Sequence, residues 1–262
     1  MPEQLFREER LIRIMEMINN DKKVIVSELA AKFDLSKPTL RLDLAELESR
    51  GLVTRTHGGA IFKDERSEKY VSGKNMLELR KETFREEKIR IAKAVQNLIH
   101  DGDSIMIDGG STTYYIVEYL KEHIGLTIIT HSVFLYPPLK EIPDAKVYLT
   151  GGLVHKEFED LIGDISISSL RRFKADVAIV APDAISIENG LSSTDSSTAR
   201  IKKQMLASGT QSIVVADSSK FSKVSLYHFA DFDKIDYVVS DKNVPEEFVD
   251  YLKSTNVKLI TV

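Results

Sequence analysis

The chain has 262 residues, 42% of them hydrophobic, with 36 Lys/Arg against 40 Asp/Glu and no cysteine. That length suits one small and one medium domain with a proper core. No apolar run is long enough to cross a membrane and no signal-peptide pattern stands at Met1–Leu5, so a cytoplasmic protein without a membrane partner is expected. Residues 1–60 carry ten Lys/Arg and ten Asp/Glu, which places the net charge of −4 in residues 61–262. The larger, mildly acidic part is therefore not expected to hold nucleic acid by itself.

Taken in order, the chain first predicts a helix from about Phe6 to Asn19, with Leu11, Ile14, Met15 and Ile18 on one face, and then a short strand at Val24–Val26. Ser27 reads as the N-cap of a second helix that Asp34 and Leu35 break after Phe33. A third helix restarts under a Ser36 cap. Pro38 lies in its first turn, where the missing N–H is harmless, and Leu40, Leu44 and Leu47 make an inward stripe. The opposite side then offers Lys37, Pro38, Arg41, Leu42 and Ala45, as a recognition helix offers its first turns to a major groove. Asp43, on the flank of the stripe, is expected to pair with a neighbouring arginine.

After Gly51, residues Leu52–His57 alternate as a strand, Gly58 and Gly59 turn it, and Ala60–Phe62 return. Two short helices followed by a wing bearing Arg55 and His57 make a winged helix-turn-helix. Because the net charge here is zero, duplex binding requires segregation, with Lys37, Arg41, Arg50, Arg55 and His57 on one side. The competing reading is a helical hairpin used for protein contact.

Residues 63–82 read as a linker that opens on the polar run Lys63–Lys69, dividing a 1–62 domain from an 83–262 domain. A helix is predicted from about Thr83 to Ile99. From Asp101 the rhythm becomes strand, turn, helix. Strands are predicted at Ser104–Asp108, Leu126–Thr130, Lys146–Leu149, Val177–Val180, Ser212–Ala216, Tyr237–Ser240 and Lys258–Thr261, which argues for an α/β domain with a mostly parallel sheet. In such sheets ligands sit beyond the carboxyl ends of the strands.

Those ends are rich in small and polar residues. Asp108-Gly109-Gly110-Ser111-Thr112-Thr113 opens directly into a helix, and backbone amides, hydroxyls and a helix N-terminus together suit a phosphate. Thr130-His131-Ser132, Thr150-Gly151-Gly152, Pro182-Asp183 and Asp217-Ser218-Ser219-Lys220 join it at the same edge. A plain capped turn is the alternative for the first cluster, and helix capping the alternative for His131. Asp195 reads better as the N-cap of a helix running to Leu206 than as a ligand contact.

At these residues the chain resembles the DeoR family of bacterial transcriptional regulators. The amino-terminal pattern stands at Leu29-Ala30, Leu35-Ser36, Thr39-Leu40-Arg41-Leu42-Asp43-Leu44, Leu47-Glu48 and Arg55-Thr56-His57-Gly58-Gly59-Ala60. Leu42 stands where the family has a second arginine. The resemblance continues through Glu87-Lys88, Ile91-Ala92, an unaltered Asp108–Thr113, Lys202 and the Asp217, Ser219, Lys220 pattern, so it covers essentially the whole chain. Thr198 replaces a family glutamate, and Ala181-Pro182-Asp183 replaces a Gly-Ala-Asp. The resemblance implies a sensor domain of ribose-5-phosphate-isomerase-like fold. It implies DNA contacts from Ser36, Lys37, Pro38, Thr39, Arg41, Leu42, Arg55 and His57. It also implies effector contacts from Asp108, Gly109, Gly110, Ser111, Thr112, Thr113, Lys202, Asp217 and Lys220, and the strand-end clusters add His131, Ser132, Gly151, Gly152 and Asp183 as expected contacts.

The expected function is a sugar-phosphate-responsive repressor of a carbohydrate-utilisation operon, with operator DNA and a phosphorylated sugar as partners, no cofactor and no metal. Operator symmetry leads to the expectation of a homo-oligomer, dimer or tetramer. The alternative is a sugar-phosphate isomerase in which Asp108, Asp183 or Asp195 shuttles a proton. That alternative leaves the helix-turn-helix idle, and Thr198 removes one acidic group it would want. A protein-binding scaffold without an effector is a third possibility.

Overall fold

The computed structural model describes residues 7–21, 23–49, 52–56, 58–62 and 72–262. Arg50, Gly51, His57 and residues 63–71 lie outside them. Two compact units divide between Thr83 and Phe84.

The first unit contains α1 (Arg7–Asp21), β1 (Lys23–Ile25), α2 (Val26–Phe33), α3 (Lys37–Ser49), β2 (Val53–Thr56), β3 (Gly59–Phe62) and α4 (Ser72–Glu82). Leu11, Ile14, Met15 and Ile18 of α1 pack with Leu40, Leu44 and Leu47 of α3 in one core, as their spacing predicts. The three strands form an antiparallel sheet in the order β1-β3-β2. Asp34 adopts a left-handed conformation at φ 52° and ends α2, and Ser36 Oγ accepts from the Thr39 amide at 3.3 Å to start α3.

Two expectations need correction. Ile25, not Ser27, occupies the N-cap of α2, without a side-chain cap. The Val26 amide donates to Gly58 O at 2.8 Å, so strand pairing runs straight into the helix and leaves Ser27 exposed in its first turn. Residues 72–82, expected as linker, form α4, and its Leu79 enters the core of the first unit.

Asp43 does pair with arginine, but on α1. Its carboxylate accepts from Arg10 Nε at 2.6 Å and Nη2 at 3.1 Å, with Arg7 Nε at 3.5 Å, and it is 1% exposed. A fork of this kind fixes the rotation of α3 about its axis.

The second unit runs α5 (Arg85–Gln96), β4 (Ser104–Ile107), α6 (Ser111–Leu120), β5 (Thr127–Thr130), α7 (Tyr136–Leu139), β6 (Lys146–Leu149), β7 (Leu153–His155), β8 (Asp160–Ile162), α8 (Asp164–Leu170) and β9 (Ala175–Val180). It continues with β10 (Ala184–Ser186), β11 (Gly190–Ser193), α9 (Ser196–Ser208), β12 (Gly209–Val215), β13 (Tyr227–Ala230), β14 (Tyr237–Ser240), α10 (Glu246–Lys253) and β15 (Lys258–Thr261). Seven strands form a sheet in the order β15-β14-β12-β9-β4-β5-β6, every pair parallel. From β4 the chain builds outward through β5 and β6, then returns to the other side of β4 with β9 and builds outward through β12, β14 and β15. The order reverses between β4 and β9, and a crevice opens at such a switch point. The antiparallel sheet β10-β11-β13 and the β7-β8 hairpin complete the unit.

Removing one partner of a buried ion pair strands the other in a dry core. Asp43→Ala is therefore expected to destabilise the first unit by about 3–5 kcal/mol. Hydrogen-exchange protection of α1 and α3 in the full chain reads this, and Arg10→Met combined with Asp43→Leu is expected to recover most of the loss.

Candidate functional site

In the first unit, α3 turns its leucines inward and so must turn its other side out. Ser36, Lys37, Pro38, Arg41 and Leu42 are exposed, Leu42 by 67%, and Thr39 is half-buried with its hydroxyl 2.8 Å from Ser36 Oγ. Arg55 is exposed on β2. Lys37 and Arg41 of α3 and Arg55 and Thr56 of the wing line one cleft with Ser27. Three cations in one concave face supply the charge segregation that zero net charge demands. His57, expected beside them, lies outside the described residues. Ser36 and Thr39 serve the helix cap.

In the second unit, the strand ends meet at the switch point as the spacing predicts. Asp108, directly after β4, is fully buried, and its carboxylate accepts from the Ala181 amide beyond β9 at 2.9 Å. Lys202 Nζ of α9 bonds the same oxygen and donates to Ala181 O at 2.9 Å. His131 Nε2, beyond β5, lies 3.0 Å from the other oxygen. Burial alone would push the Asp108 carboxyl up, but Lys202 and then His131 outweigh it and hold it below the ordinary carboxylate range. Burial alone would likewise push Lys202 down, and the carboxylates of Asp108 and Asp183 hold it above its usual value.

His131 stands between two carboxylates. Burial favours its neutral form, yet Asp160 and Asp108 together hold the imidazole above its ordinary value. Asp160, the first residue of β8, was not anticipated as a site residue. Its Oδ1 is 3.8 Å from His131 Nδ1, and burial pushes its own carboxyl up although His131 opposes the shift. The only hint in the sequence was an acid inside the run Glu159–Gly163, which carries no strand alternation.

Above this buried network stands the amino end of α6. Its N-cap is Gly110, at φ 153°, and no side chain caps the helix. Gly109, Gly110 and Ser111 are partly accessible, whereas Thr112 and Thr113 are buried and Thr113 Oγ1 donates to Gly110 O at 3.0 Å. An N-terminus with spare amides carries partial positive charge and favours an anion. By contrast, Asp195 caps α9, accepting from the Ser197 and Thr198 amides at 2.9 Å each, so its carboxylate has a structural task. Thr198 donates its hydroxyl to Asp195 O at 3.0 Å.

The other expected residues flank this point. Gly151 and Gly152 are partly accessible beyond β6 and both have positive φ. Ser132 is buried beyond β5. Asp183 is partly accessible and accepts from the Thr194 amide at 3.0 Å. Asp217 is buried and accepts from the Ser219 amide at 3.1 Å. Burial alone would raise its carboxyl, but Lys220 and Lys88 hold it low. Lys220, in the single helical turn Ser218–Lys220, is partly accessible. The structure thus separates a buried set, Asp108, Thr112, Thr113, His131, Ser132, Lys202 and Asp217, from an accessible set formed by glycines, Ser111, Asp183 and Lys220.

A histidine whose folded pKa is raised contributes stability that is complete below the unfolded value, about pH 6.5, and is lost as pH climbs through the folded value. The melting-temperature advantage of the wild type over His131→Gln is expected to be largest below about pH 6.5 and to shrink at alkaline pH. A gap that stays constant across that range would mean a neutral imidazole.

Residues 83–242 match the DeoR C terminal sensor domain, and residues 10–66 match the DeoR-like helix-turn-helix domain. The chain is 30% identical to the HTH-type transcriptional repressor GlcR of Bacillus subtilis, over 98% of this chain and 96% of that one. It is 29% identical to the L-fucose operon activator of Haemophilus influenzae, over 94% and 97%. With the glycerol-3-phosphate regulon repressor of Haemophilus influenzae it shares 28% identity, over 95% and 94%. Among solved structures, ribose 5-phosphate isomerase from Plasmodium falciparum is a loose likeness, 18% identical over 52% of each chain with a TM-score of 0.37. No helix among the described residues is long and apolar enough to cross a membrane. With a helix-turn-helix carrying its cations in one cleft and a sensor domain whose parallel sheet reverses its strand order, both matched by family, the chain belongs to the DeoR family of DNA-binding transcriptional regulators.

Proposed function

We propose that this regulator is a repressor of a carbohydrate-utilisation operon and that a sugar phosphate bound at the switch point governs its grip on operator DNA. The observation that carries the reading is the uncapped amino end of α6, placed where the strand order reverses. Gly110 and Ser111 meet the phosphate through backbone amides and a hydroxyl, Gly109, whose own amide donates to His131 Nε2 at 3.3 Å, lets the ligand approach, and Gly151, Gly152, Asp183 and Lys220 stand around the rest of it. Asp108, Thr112, Thr113, His131, Lys202 and Asp217 hold these groups in place. The names of the relatives, among them a glycerol-3-phosphate regulon repressor, support a phosphorylated effector.

Lys37, Arg41 and Arg55 meet the duplex, with Ser36, Pro38, Thr39, Leu42 and His57 at or near it. Exposed Leu42, in place of an arginine, gives an apolar contact suited to a thymine methyl. Operator half-sites related by two-fold symmetry require a homo-oligomer. The effector acts by binding the DNA-competent and incompetent states unequally, a coupling of about 1–3 kcal/mol in such systems.

Arg41→Ala is expected to weaken operator binding by about 1–3 kcal/mol, measured by fluorescence anisotropy at fixed salt. Lys220→Ala is expected to leave unliganded operator affinity intact while weakening release by a panel of phosphorylated hexoses, pentoses and polyols. Sustained turnover of ribose 5-phosphate, or the opposite pattern in the two variants, would overturn the assignment.

A further inference from the structure

β6 is the last strand of the seven-stranded sheet, and among the described residues no strand pairs with its outer edge. Such an edge presents a row of backbone N–H and C=O groups ready to pair with another strand. Tyr148 and Leu149 of β6 are 45% and 41% exposed, and Leu153 and Val154 of β7 are 71% and 52% exposed. Ile165, at the start of α8, is 67% exposed and joins them, its Cγ2 lying 3.8 Å from where a Cβ on Gly151 would stand. The fold makes this face by leaving β7 on the outside. Leu153 pairs with Ile162 and Val154 with Leu161, and both of those β8 partners are buried. The opposite edge of the sheet differs, because Leu259 and Ile260 of β15 are partly covered and only Lys258 and Thr261 of that strand are exposed.

Size and charge say what covers the face. The five apolar side chains leave on the order of 500 Å² open, as much as the largest apolar patch of a typical monomer. A standard homodimer buries about 800 Å² per copy, about 65% of it apolar, so the apolar share it needs is about the same. Charge then separates a second copy from a partner of other chemistry. In a chain with 29% charged residues, the stretch Val147–Val154 carries no charge at all. A two-fold interface sets one patch against itself, so a charge near the axis would meet its own like, and a blank stretch is what self-pairing requires. Antiparallel meeting of two β6 edges satisfies both rows of backbone groups at once and keeps the two Lys146 side chains at opposite ends of the ribbon.

We propose that β6, β7 and the first turn of α8 form a two-fold self-association surface, in which β6 of one protomer pairs antiparallel with β6 of its partner and joins the two sheets into one. This rests on the reading that operator symmetry requires a homo-oligomer, and it supplies the surface that makes one. Leu153 and Ile165 are the apolar anchors. Tyr148 is already oriented for the contact, since its ring rests on Phe173 with 5.2 Å between centroids and has little side-chain freedom left to lose on association.

The test is sedimentation equilibrium of the full chain, wild type against Leu153→Asp combined with Ile165→Asp. Both positions are exposed in the single copy, so the fold is expected to survive, with thermal melting as the check. The combined variant is expected to raise the dissociation constant of one association step about a hundredfold or more and to sediment at half the wild-type mass. Leu226→Asp, at an apolar residue 79% exposed outside the proposed face, is expected to leave the mass unchanged. Because the chain has no cysteine, Lys146→Cys carries a single nitroxide label, and the shortest distance between labels in the assembly is expected to be about 25 Å or less, since paired strands stand about 4.8 Å apart. If the wild type self-associates but the combined variant keeps its mass, Leu226→Asp halves it, or the labels lie farther apart, the surface falls and the homo-oligomer reading survives. A wild type that stays monomeric at every concentration overturns both.

Discussion

The second unit depends on one carboxylate. Asp108 sits fully buried at the point where the sheet reverses its order, and it is tolerable there only because Lys202, His131 and the Ala181 amide satisfy it. Those partners come from α9 and from the ends of β5 and β9. One side chain thereby ties together the loops after three adjacent strands, β5, β4 and β9. The consequence is geometric. With Asp108 anchored, Gly109 and Gly110 have no freedom to drift, and the amides that open α6 stand in a fixed array. The charges of Asp108, His131 and Lys202 are largely spent on building this scaffold.

The first unit uses the same device on a smaller scale. Asp43 is buried against the Arg10 fork, so α3 cannot roll without breaking an ion pair in a dry environment. Leu40, Leu44 and Leu47 alone would set the helix face only to within the tolerance of hydrophobic packing. The carboxylate adds direction. Lys37 and Arg41 consequently project into the cleft shared with Arg55, which is what a groove-reading helix needs from its first turns.

Much of this was legible in the sequence wherever a local rule and the tertiary context agreed. The runs at Lys146–Leu149, Tyr237–Ser240 and Lys258–Thr261 are strands with those bounds, because each is a short stretch rich in Val, Ile, Thr or Tyr. Ser36 caps α3 and Asp195 caps α9 because nothing outside the helix competes for those amides. Ser27 fails as a cap because α2 starts one residue earlier, at Val26, whose amide is held by Gly58 O thirty-two positions away, and Ser27 then lies inside the first turn. The β7-β8 hairpin and the β10-β11-β13 sheet were not read at all. Gly190–Ser193 is a buried strand of one glycine, one leucine and two serines with little β propensity, and it is strand because its neighbours pair with it. Asp160 was lost with its hairpin, and so was the second carboxylate facing His131.

How a ligand at α6 could matter beyond its own unit follows from α5, the helix that begins at the boundary. Phe84 turns the chain there with a left-handed φ of 51°. From α5, Arg85 lies over the ring of Tyr115 on α6, 5.8 Å from its centroid, and buried Lys88 helps to hold Asp217 in its charged form beyond β12. The first helix after the boundary is therefore keyed both to α6 and to the loop that carries Lys220. A packed helix does not deform smoothly, so a change in the position of α6 or of the Asp217 loop must either be refused by α5 or passed to it whole. A ligand at the proposed site that ordered both would favour one placement of α5 over any other, the unequal binding on which the proposed regulation rests.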